Sequence, residues 1–60
     1  MDQATELYFK QATISNILML QDYLPLYTYT YNGLINKSLD ELEQIRDTMI
    51  PQYNEAVKQV

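Results

Sequence analysis

Apolar residues recur at steps of three and four over two long stretches of this chain, and the second stretch is the cleaner. It places Leu39, Leu42, Ile45, Met49, Tyr53, Ala56 and Val60 on one line. At about 100° per residue they form a stripe roughly 140° wide, the width of a core-facing helix and not of a coiled-coil seam. Ile50 and Val57 widen it where Asp40, Glu43 and Asp47 make an acidic ridge, and Arg46 lies within its edge. Ser38-Leu39-Asp40-Glu41 fits a capping box, in which Ser38 Oγ accepts from the Glu41 amide and the Glu41 carboxylate reaches back. Asp40 and Glu41 in the first turn and Lys58 in the last match the helix macrodipole. The pattern predicts a helix over about 38–59.

Pro51 falls inside that helix. It has no N–H to give and its ring crowds the preceding turn, at a cost of about 3 kcal/mol. It also disfavours helical backbone at Ile50. The apolar register still passes from Met49 to Tyr53 without a slip. A kink at Pro51 is therefore expected in preference to a break with Pro51 opening a new helix.

The first stretch, capped by Asp2, predicts a helix over about 3–24 that Pro25 terminates. Its pattern is broader. Ala4, Leu7, Tyr8, Ile14, Ile17 and Leu18 recur at helical spacing, while Phe9, Leu20 and Tyr23 fall opposite Leu7, Ile14 and Leu18. Residues Ile17 to Leu20 are apolar all round, and a helix apolar around its girth is covered on more than one side. One partner helix cannot provide that cover. Phe9, Leu20 and Tyr23 are accordingly candidate partner-binding residues, and either a homodimer or a tight complex with another protein is expected.

Between the helices, over 25–37, Tyr27-Thr28-Tyr29-Thr30-Tyr31 alternates and runs into Asn32-Gly33. In isolation this reads as a strand entering a type I′ turn. The return arm is only Leu34 and Ile35, and a lone hairpin is marginal. The expectation is an extended connection that turns at Asn32-Gly33 and lays Leu34 and Ile35 on the helices, with a short helical turn as the alternative. It is longer than most helix–helix connections, and such loops often carry function. Tyr27, Tyr29 and Tyr31 are therefore candidate partner-binding residues, because Tyr gives large contact area at low entropy cost. The competing reading has the rings packing over the helix ends with their hydroxyls in water. Extended backbone would put all three rings on one side.

The resulting fold class is all-α: a two-helix antiparallel hairpin, kinked at Pro51 and pairing into a four-helix bundle. Sixty residues make one small domain, and chains of this size often need disulfides, metals or oligomerisation. With no Cys and no His, disulfides, thiolate metal sites and the usual general base are absent. No cofactor and no metal site is expected: the acidic ridge lacks the loop and Gly of a calcium site, and a solvated face explains it. No motif supports catalysis, and the one Gly excludes a Gly-rich phosphate loop.

A net charge of −4 with four basic residues argues against binding nucleic-acid phosphates. No run reaches the roughly 18 apolar residues of a membrane span, and Met1-Asp2 does not open a secretory signal. A cytoplasmic location is the expectation, and Asn36-Lys37-Ser38 then reads as a helix entry and not as a glycosylation site.

Glu6-Leu7-Tyr8-Phe9-Lys10-Gln11-Ala12 resembles a short run in the small helical-hairpin inhibitors of sporulation sensor kinases, over seven of the sixty residues. The function expected from the residues themselves is a non-catalytic protein-binding module, a small regulator or inhibitor docking on a larger protein. A self-assembling structural component, as in a virion, is the alternative. An acidic mimic that blocks a nucleic-acid-binding surface is a further one, weakened by spacing. Asp40 to Asp47 spans about 10.5 Å, over which duplex DNA carries roughly six charges to the ridge's three.

Overall fold

The computed structural model describes residues 2–58. Among these residues the chain is all-helical, with α1 (Gln3–Gln21), a five-residue α2 (Tyr31–Ile35) and α3 (Leu39–Lys58). Val60, expected to close the α3 stripe, and residue 59 lie outside the described residues.

Local chemistry sets each boundary. Asp2, in extended backbone, accepts the Thr5 amide at 2.7 Å and starts α1. The helix was expected to reach Leu24. Instead its last turn tightens after Gln21, where Asp22, Tyr23 and Leu24 donate to carbonyls three residues back. Pro25 follows in a turn closed by Tyr27 N–H on Leu24 O at 3.0 Å. Ser38 Oγ accepts the Glu41 amide at 3.2 Å, which is the forward half of the expected capping box; the reciprocal bond from Glu41 is not made. Through Pro51 α3 runs on without interruption. Pro51 is exposed, so the Asp47 carbonyl that it leaves without its usual helical donor lies on the solvent side.

The connection follows both expectations in part. Residues 27–30 have no regular structure, and Thr30 then caps α2 by accepting the Gly33 amide at 3.2 Å. The short helical turn, the alternative reading, is what forms at Asn32-Gly33. Gly33 does not have positive φ, so no type I′ turn exists there. Lys10 Nζ donates to Ile35 O at 2.9 Å and satisfies the C-terminal end of α2.

The core is small. Ile14, Ile17 and Leu20 from α1, Leu34 from α2, and Leu42 and Met49 from α3 are its buried apolar residues. Thr13 is buried beside them, its hydroxyl donating to Phe9 O at 2.8 Å. Leu18, Leu24, Tyr27, Tyr29, Ile35, Ile45 and Tyr53 pack around this cluster half-buried.

α1 and α3 lie side by side as expected, but their direction corrects the antiparallel expectation. Tyr23, past the end of α1, meets Tyr53 in the last third of α3 with ring centroids 5.3 Å apart. Lys10, in the first half of α1, holds Ile35, four residues before α3 begins. Tyr27 reaches Gln52. The two helices therefore run parallel, and residues 22–38 return along their length. In an antiparallel pair, Tyr53 would face the start of α1. The length of the connection is what permits this: extended residues at about 3.3 Å each cover quickly what a helix climbs at 1.5 Å.

Candidate functional site

Gln21 organises the tyrosine segment. Its side-chain carbonyl accepts the Tyr29 amide at 2.9 Å, and its amide donates to Tyr29 O at 2.8 Å. One side chain thus supplies the paired donor and acceptor that a neighbouring strand would offer. This fixes the backbone at Tyr29 although residues 27–30 join no sheet.

With that backbone pinned, Tyr27 and Tyr29 project together. Their rings stack at 5.9 Å with 18° between planes, and Tyr27 Oη donates to Gln52 Oε1 at 3.0 Å. Both rings are half-buried against the core and half-open. They form one wall of an open groove of about 540 Å³. The other wall is an α3 face built from Glu41, Gln44, Ile45 and Thr48, with Lys37 contributing just before α3. The spacing i, i+3, i+4, i+7 sets those four on one side of the helix.

The sequence-predicted residues divide. Tyr27 and Tyr29 share the groove. Tyr31 does not join them, because it is the first residue of α2 and leaves the extended run; its hydroxyl lies 3.5 Å from Gln11 Nε2. Leu20 is not on a free surface at all. It sits in the core at 5 % exposure, on the same face as Ile14 and Ile17. Phe9 and Tyr23 are exposed, Phe9 in an edge-to-face pair with Tyr8 and Tyr23 with Tyr53. On the ridge, Asp40 and Asp47 are exposed, and Arg46 pairs with Asp47 at 3.2 Å.

Ile45 also moves relative to expectation. It was one of the α3 stripe residues expected to be buried, but the fully buried positions are Leu42 and Met49, and Ile45, at the stripe's edge, is half-exposed and lines the groove. The stripe is shared between α1 and the returning connection, so its edge faces the tyrosines. Gln21 and Gln52 were not singled out by sequence. The available signal was position: Gln21 falls about 40° from Ile17 on a helix, which places it on the packed side of α1.

Among the described residues no group of three or more acidic side chains is arranged to hold a metal ion, and no helix is long and apolar enough to cross a membrane. No protein-family model, curated protein or solved structure matches the chain.

Proposed function

We propose that this chain is a non-catalytic protein-binding module, a small regulator or inhibitor that docks on a larger protein through the groove between Tyr27–Tyr29 and α3. The observation that carries the reading is the stacked tyrosine pair, held by Gln21 and Gln52 and left half-open against Ile45. An open trough with an apolar floor and rings along one side suits a segment of another protein. A small-molecule pocket would enclose most of its ligand. Tyr27 and Tyr29 are the contact residues in this reading, and Tyr31 lies apart from them.

Thr48→Arg tests it. Thr48 is exposed, so a long helix-compatible side chain there fills the groove without touching the core. The expected result is that wild-type chain captures a protein from native lysate and the variant, with unchanged helicity, does not. Equal capture by both would sink the groove reading.

The exposed apolar face of α1 favours self-association as a second property, and it keeps the structural-component reading in view. Solution size separates the two: a regulator forms a small closed assembly, a structural subunit a large or open one. A complex that weakens steeply with salt would instead support the acidic-mimic reading.

A further inference from the structure

The outer face of α1 carries more than scattered apolar residues. Tyr8 is 68 % exposed, Phe9 44 % and Met19 54 %. Ala12, Ser15 and Asn16 lie between Tyr8–Phe9 and Met19 and are also exposed. At about 100° per residue all of them fall within one strip of roughly 120°, running from the flank of the Ile17 side to the far side of the helix. Glu6 and Lys10 fall outside this strip. The result is an uncharged band on α1 from Tyr8 to Met19, large at both ends and small in the middle.

We infer that this strip is the interface of a two-fold dimer in which α1 packs antiparallel on α1 of a second copy, crossing at Ala12–Asn16. An isologous contact requires that residue i meet j while j meets i. The strip meets that condition with an axis near residue 14. Tyr8 and Phe9 of one copy then face Met19 of the other, and Ala12 faces Ser15 and Asn16. Small residues at the crossing allow close approach, and aromatic and thioether side chains close each end.

Area points to a second copy. At roughly 200 Å² per large side chain, the exposed parts of Tyr8, Phe9 and Met19 leave about 330 Å² per chain. Two copies, with the exposed Ala12, Ser15 and Asn16 of each between them, approach the roughly 1,000 Å² of a specific interface. Antiparallel packing also sets opposite ends of the two helix dipoles together. The dimer leaves both tyrosine grooves open, since they lie on α3 and the connection. This inference rests on the reading that the chain self-associates and assigns it a face and a direction.

Sedimentation and cross-linking test it. At roughly 100 µM, well above a micromolar Kd, the wild type should sediment at twice 7.1 kDa. Ala12→Glu, exposed and helix-compatible, should halve that mass with helicity unchanged. The chain has no Cys, so single cysteines report direction. Ser15→Cys lies near the axis and should oxidise to a covalent dimer. Thr5→Cys, roughly 25 Å from its counterpart along the axis at 1.5 Å per residue, should not. A monomeric wild type would overturn self-association itself. A dimer that survives Ala12→Glu would overturn the face alone, and efficient Thr5→Cys cross-linking would overturn the direction.

Discussion

Replacing Gln21 should unfasten the tyrosine segment while leaving the helix pair standing. Gln21 makes two hydrogen bonds to the Tyr29 backbone, at 2.9 Å and 2.8 Å, and both are partly buried. Each such bond contributes about 0.5–1.5 kcal/mol net, so Gln21→Ala should cost about 1–3 kcal/mol. A domain of this size has roughly 3–9 kcal/mol in all, so the loss is large. It should lower Tm by about 5–20 °C. Gln21→Glu is the sharper probe. Ionised, its carboxylate still accepts the Tyr29 amide but faces Tyr29 O with no proton to give. Protonated, it supplies both donor and acceptor, as glutamine does. The folded state therefore favours the protonated form and raises the pKa above the unfolded value of about 4.3. The stability of this variant should be fullest below that value and fall as pH rises through the folded pKa. The assay is thermal melting of wild type and variant from pH 4 to 7, read as the difference between them, with Tyr29 amide exchange followed in parallel. A Gln21→Glu chain as stable as wild type at pH 7, or a difference that does not change with pH, would refute the clamp.

Two further outcomes follow from burial and capping. Leu42→Asp should abolish the cooperative melt, because Leu42 is fully buried and the charge would have no partner, whereas Ile45→Asp should leave the chain folded with its groove altered; circular dichroism on the pair decides it, and equal unfolding would return Ile45 to the core. The bonds from Thr5 hold the Asp2 carboxyl below its ordinary pKa of 3.8, so its contribution to the start of α1 is present above that value and lost as pH falls through the lower folded one. Asp2→Asn should keep the first turn protected at acid pH, while wild type frays there, as amide exchange at Thr5 would report.

The helices were legible because their signals are local. Asp2, Ser38 and Pro25 mark starts and a stop, and the three-and-four spacing marks the packed faces. The direction of packing was not legible in the same way. Short connections make neighbouring helices antiparallel, and the antiparallel expectation rested on that rule although the connection is longer than most. A connection of that length either loops out or returns along the helices, and the apolar Leu34 and Ile35 at its far end favour return. The Tyr segment misled for a related reason. Alternation reads as strand, but a strand needs a partner, and here Gln21 supplies the pairing at one residue only. Beyond Tyr29 nothing extends the ladder, so Thr30 caps a helix instead and Tyr31 turns away from its neighbours.

The first helix shows why breadth of apolar pattern did not identify a surface by itself. Phe9, Leu20 and Tyr23 were grouped as one face, yet the structure buries Leu20 with Ile14 and Ile17 and leaves Tyr8, Phe9, Met19 and Tyr23 outside. The parallel arrangement explains the division. With α3 beside α1 and the connection returning past it, the core covers the side of α1 centred on Ile17, and Leu20 stands about 60° from that centre. Phe9 stands about 80° from it and is left outside, while Tyr23, past the end of α1, rests edge-on against Tyr53 with about half its surface open. Among the described residues, six buried apolar side chains against eight large exposed ones is a poor ratio for a chain without a disulfide. Small domains in that position usually draw stability from a partner. If the strip on α1 supplies it, folding and association are linked, and the melting temperature of the wild type should rise with chain concentration while that of Ala12→Glu stays fixed. A wild-type melt independent of concentration over a hundredfold range would mean that the core is sufficient alone.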